Sequence, residues 1–187
     1  MRMIPGCAAV LLLACGAACA KDQAPVYTPY PINGSTAAEL DAQMQALGPR
    51  QHDGARYPGG AQWQISWEYS SAPHGARCRL GQLRVKLTSN ITLPHWQQRS
   101  QADDELGAAW DAFLVQLELH EQGHVQHGRE AAEDIRRALT GLSGSCSTLD
   151  QQAAERGKQI IAAYSQRDIE YDAQTRHGQT QGAVLAY

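Results

Sequence analysis

The chain has 187 residues, 16 of them Lys or Arg and 19 Asp or Glu, for a formal net charge of −3. That balance excludes the basic field a nucleic-acid binder carries and the polybasic stretch of a membrane-surface protein. Apolar residues make up 43% and charged residues 19%, a composition that folds rather than staying disordered.

The one long apolar run is at the N-terminus. Arg2 precedes a stretch of small and apolar residues, 4–20, and a polar start follows at Lys21. This is the layout of a secretory signal peptide over residues 1–20, too interrupted by Gly, Cys and Ala for a stable membrane span. Ala18-Cys19-Ala20 suits ordinary cleavage before Lys21, while Leu12-Leu13-Ala14-Cys15 offers the alternative of a lipoprotein anchored through Cys15. Cysteine arithmetic favours the first. It leaves Cys78 and Cys146, an even pair suited to one disulfide in an oxidising compartment, whereas lipidation leaves Cys19 unpaired. The expected location is the periplasm or the cell exterior, and the expected mature chain, 21–187, suits a single domain.

Residues 25–32 carry three prolines and read as an extended edge segment. Thr36 and Glu39 have capping-box spacing before a helix that Gly48-Pro49 ends. Trp63, Ile65, Trp67 and Tyr69 alternate with polar residues, as do Leu83, Val85 and Leu87, which predicts two strands with one buried and one wet face. The segment 70–78 between them reads as a loop, and Pro94 as the end of the second strand. Asp103 to Leu139 predicts one long helix. Its apolar stripe of Leu106, Trp110, Phe113 and Leu117 gives way to His120, His124 and His127, then resumes at Ala131, Ile135 and Leu139. A last helix starts between Ser147 and Asp150, turns Ala153, Gly157, Ile160, Tyr164 and Ile169 inward, and stops near Asp172.

Residues 120–124 read HEQGH, an H-E-x-x-H sequence within the long helix. His120 and His124, four apart, project from one face and can hold one metal ion; Glu121 is offset by about 100° and can act on a metal-bound water without occupying the metal. Zinc lowers the pKa of such a water to about 7, and Glu121 as general base takes its proton. His127 shares the face. It lies about 10.5 Å from His120 along the axis, however, which makes it a neighbour of the site rather than a ligand. A third ligand must come from another segment. On spacing alone, His177 in the C-terminal tail is as readily a solvated residue; Asp172, His95 and Glu133 are its rivals.

Taken in order, WQISWEY, the Cys78 segment leading into RVKLTSNITLPHW, HEQGH, Cys146 and YDAQTRHGQTQGAV resemble a bacterial family of predicted secreted zinc-dependent proteases, otherwise a domain of unknown function. The resemblance covers most of residues 25–185. It implies that the Tyr171-Asp172 to His177-Gly178 segment belongs to the site. His177 is then the expected third zinc ligand, Tyr171 a candidate donor to a tetrahedral oxyanion, and Asp172 a carboxylate that orients a ligand histidine.

The expected fold is α+β and zincin-like, a small antiparallel sheet packed on the long HExxH-bearing helix. In zincin-like proteins an exposed sheet edge takes the substrate as an added strand. The expected function is a zinc metallopeptidase acting on a peptide or protein substrate. A zinc-retaining binding module and a zinc hydrolase of a non-peptide amide or ester are the alternatives; an intact Glu121 favours an enzyme over the module.

Overall fold

A computed structural model of the protein describes residues 23–186. The expected signal segment 1–20 and both routes for its processing lie outside the described residues. The elements in order are β1 (Val26–Ile32), α1 (Ala37–Leu47), β2 (Gly60–His74), β3 (Arg77–Trp96), α2 (Asp104–Leu139), β4 (Ser143–Gly144) and α3 (Leu149–Thr175), with 3-10 turns at Arg99–Gln101 and Gln179–Gln181. The protein is α+β.

The sheet is mixed, not antiparallel as expected. β2 and β3 form an antiparallel hairpin, and β1 pairs with the other edge of β3 in parallel, from Val26 opposite Asn90 to Ile32 opposite Trp96. α1 and β2 together form the crossover that a parallel return requires. β1 is an edge strand, as its prolines demanded. β4 pairs with the start of β3, Cys78 opposite Gly144.

The hairpin is longer than the alternation suggested. The expected loop 70–78 is mostly strand. β2 runs to His74 and β3 begins at Arg77, because Gly75 adopts φ 63° and lets two residues turn the chain. Nor does Pro94 end β3, which continues beside β1 to Trp96. The Thr36 side chain accepts from Glu39 N as the capping box predicts, but Glu39 reaches back one residue further, to Ser35 N.

α2 is the long helix read from the sequence, capped by Asp103, whose side chain accepts from Leu106 N. It serves two apolar clusters. Its first half packs Leu106, Trp110, Phe113 and Leu117 against Ile32, Leu40, Met44 and Trp96. Its second half packs Ala131, Ile135 and Leu139 against the hairpin and α3. The histidines occupy the seam between them, and all three are buried. Cys78 and Cys146 form a disulfide that ties the root of β3 to the segment before α3. Such a pair fits an oxidising compartment. No helix among the described residues is long and apolar enough to cross a membrane.

Candidate metal centre

α3 runs antiparallel to α2. The pairs Tyr164–Asp134, Arg167–Glu130 and Asp172–His120 show α3 numbers rising as α2 numbers fall. The inward stripe of α3 continues from Ala153, Gly157, Ile161 and Tyr164 to Asp168, Asp172 and Thr175. Ile169, expected on that face, is exposed instead, one helical step off the stripe. Two carboxylates thus replace apolar residues opposite the place where α2 replaces its own with imidazoles.

Asp172 Oδ1 lies 3.1 Å from His120 Nε2 and 3.0 Å from His124 Nε2. The outer ring nitrogens are each held by an acceptor. His120 Nδ1 is 2.9 Å from Gln181 Oε1, and His124 Nδ1 is 2.9 Å from Asp168 Oδ1. Those acceptors put the ring hydrogens on Nδ1 and turn both Nε2 lone pairs toward one point, which a carboxylate oxygen also faces. Three acceptors meeting in a buried place require a cation between them, a proton or a metal. In the metal-free protein His124 supplies the proton: burial opposes its charge, but the bonds to Asp168 and Asp172 outweigh burial and push its pKa up to about 10. Asp172 is held well below the usual carboxylate range; burial raises it, and the bonds from His120 and His124 outweigh that.

The ligand atoms of His120, His124 and Asp172 all lie within 4.8 Å of one another, so this group can hold a metal ion. Tetrahedral coordination at about 2.0–2.1 Å sets ligand atoms roughly 3.3 Å apart. The distances of 3.0 and 3.1 Å need only a slight expansion. A second orphan points the same way. Glu121 is buried and its Oε2 has no hydrogen-bond partner. Burial pushes its pKa up to about 7, with the charges of His120 and His124 opposing and that of Asp172 adding.

A family model of bacterial proteins of unknown function, DUF922, matches residues 27–178. The chain belongs to this family. The DUF922 span holds every strand but the first residue of β1, the whole of α2 and α3, and His177, and it ends at Gly178. Gln181, which holds His120, lies three residues beyond it. No curated protein matches the chain, and no solved structure does.

The structure brings His120, Glu121, His124, Tyr171, Asp172 and His177 together. His177 reaches the cluster through Asp172, with Nδ1 3.4 Å from Oδ1, and its ring stacks on Tyr57 at 3.6 Å between centroids. It is delivered by a left-handed turn in which Arg176, His177 and Gly178 have φ of 51°, 52° and 84°. A β-carbon at Gly178 would come within 3.0 Å of His120 Cγ, so glycine both permits the turn and admits the ring. Tyr171 stacks on His120 at 4.9 Å, and its hydroxyl exchanges hydrogen bonds with the Gln181 amide. Its ring rests against Gly123, where a β-carbon would be 2.6 Å from the hydroxyl. His95 is exposed in β3, and Glu133 pairs with Arg136; neither joins the cluster.

His127 bonds Asp168 Oδ1 at 2.7 Å, and Trp63 Nε1 donates to Oδ2 at 2.7 Å. From the sequence, Asp168 is one of three carboxylates near the end of the last helix, with Glu170 and Asp172, and has no assigned role; Gln181 has none either. Asp168 carried a signal, an acidic i, i+4 pair with Asp172 continuing the apolar stripe of α3. Gln181 carried none. The ligand atoms of His124, His127 and Asp168 also fall within 4.8 Å of one another, but there His124 would bind through the nitrogen opposite to the one facing Asp172.

Proposed function

We propose that the protein is a zinc-dependent peptidase of the periplasm or cell exterior, with His120, His124 and Asp172 as zinc ligands and Glu121 as general base. The observation that carries it is the convergence of two Nε2 atoms and one carboxylate oxygen beside a buried glutamate with a free oxygen. This moves the third-ligand assignment from His177 to Asp172. The cluster of mutually close ligand atoms includes Asp172 Oδ1 and does not extend to His177. His177 stands beside the ion's position, held there by Tyr57.

Zinc bound there would lower the pKa of a coordinated water to about 7 and polarise a carbonyl. Glu121, itself pushed up to about 7, is matched to accept a proton at Oε2 near neutral pH and to return it to a leaving amine. Asp168 and Gln181 keep the imidazoles in the tautomer that ligation needs. Tyr171, its hydroxyl committed to Gln181, steadies His120 from the side. The outer edge of β2 pairs with no other strand among the described residues. It begins at Gly60, next to the backbone that meets Glu121, and is suited to take an extended peptide as an added strand.

The test is metal analysis with peptide-library turnover, wild type beside Glu121→Gln. One zinc per chain in both proteins, with hydrolysis only in the wild type, supports the reading. Loss of zinc from Glu121→Gln, or a zinc-loaded wild type that cuts no peptide, overturns it.

A further inference from the structure

The cleft that opens onto His124 and Asp172 has a volume of about 430 Å³, within the usual range of roughly 300–1,000 Å³ for ligand sites. One wall is the start of the unpaired β2 edge, Ala61 to Trp63. The opposite wall is α3, where Ile161, Ser165 and Ile169 follow one another at single turns. Ile169 is 37% exposed, an aliphatic side chain of α3 left in solvent at the mouth of this cleft.

We propose, resting on the peptidase reading above, that this cleft is a substrate subsite for a bulky aliphatic side chain next to the bond that is cut. The charge pattern selects the class. No Lys or Arg lines the cleft to pair with an acidic side chain, and Asp168 and Asp172 are among its lining residues. A basic side chain meets carboxylates whose Asp168 oxygens and Asp172 Oδ1 are already engaged. Asp168 already accepts from His124, His127 and Trp63, and Asp172 Oδ1 is shared by His120 and His124. The apolar surface left for a side chain to bury against is the indole of Trp63, Ala61 and the two isoleucines, beside the uncharged Gln51, Gln62 and Ser165 and the ring of His52. The cleft lies to one side of Glu121. Gly59, which meets Glu121, precedes Ala61–Trp63 along the strand, so the selection falls on one side of the scissile bond.

The test uses the full mature protein loaded with zinc and a mixed peptide library read by mass spectrometry. The expected result is enrichment of Leu, Ile and Met at one position beside the cut, with Asp, Glu, Lys and Arg depleted there. Ile169→Asp should keep its zinc and its fold, since the position is exposed, and lose at least tenfold in kcat/KM on the best leucine peptide. Ile169→Ala should lose part of that. Binding is read separately, by anisotropy of fluorescein-labelled leucine and lysine versions of one peptide on zinc-loaded Glu121→Gln, with and without Ile169→Asp. Tighter binding of the leucine peptide, abolished by Ile169→Asp, supports the subsite even if the wild type cuts nothing, in which case only the peptidase reading falls. Cleavage with no aliphatic preference at any position, or a preference that Ile169→Asp leaves intact, overturns the subsite.

Discussion

Glu121 is seated against Gly59 so closely that a β-carbon on Gly59 would lie 2.6 Å from Oε1 and 2.9 Å from Leu117 Cδ1. The loop before β2 thereby fixes the carboxylate of α2 from above. Gly59→Ala should displace Glu121 without touching a metal ligand. A misplacement near 1 Å costs roughly a hundredfold in rate, so kcat on a library-derived peptide should fall about 10- to 100-fold with zinc affinity unchanged. Wild-type kcat in Gly59→Ala would show that the seat is irrelevant to Glu121.

Asp168 gathers three donors, from His124, His127 and Trp63, and through His124 it orients a proposed zinc ligand. Asp168→Asn keeps the shape and removes the charge. Zinc affinity should drop about 10- to 100-fold, the usual effect of losing such a partner. Asp172→Asn, which alters a proposed ligand, should lose more. A competition titration against a fluorescent chelator measures both. Equal losses, or none in Asp168→Asn, would contradict the division of roles. A second zinc per chain that disappears in Asp168→Asn would place a metal on the His124–His127–Asp168 group instead.

His124 has its pKa raised from 6.5 to about 10 in the metal-free protein. A raised histidine pKa contributes stability that is complete below the unfolded value and is lost as pH climbs through the folded one. Protein stripped with EDTA should therefore lose Tm between about pH 7 and pH 10. Ligation needs the neutral imidazole, so zinc must expel this proton across the same interval. Zinc calorimetry at pH 8, in two buffers of different ionisation enthalpy, should report about one proton released by His124. Absence of proton release at that pH would mean that the imidazole is already neutral.

Gly157 of α3 faces Trp67 of β2, and a β-carbon there would come within 2.4 Å of Trp67 Cζ2. Helix propensity favours Gly157→Ala by about 1 kcal/mol, whereas overpacking costs roughly 1–3 kcal/mol. A net loss of up to about 2 kcal/mol in chemical denaturation is expected, with zinc binding retained. A stabilised variant would mean that the Trp67 ring yields at no cost.

Local periodicity was enough to place the three histidines on one face of α2. The apolar stripe that turns to His120, His124 and His127 and back again is a one-helix pattern with a fixed 3.6-residue repeat. Counting cysteines sufficed for the Cys78–Cys146 pair, because only two lie beyond residue 20. The first strand's direction was not readable. Alternation marks which face of a strand is wet but says nothing about whether its partner runs parallel or antiparallel. The tertiary structure alone decided which carboxylate meets the histidines. Asp172 and His120 are 52 residues apart, and their contact depends on the angle at which α3 crosses α2. Gly157 against Trp67 of β2 and Tyr171 against Gly123 of α2 let α3 approach closely enough for that contact. His177 and Gln181 depend in turn on a left-handed turn after α3. No periodic signal announces that turn, and it positions each side chain only because Tyr57, Tyr171 and the rings on α2 are already in place to receive it.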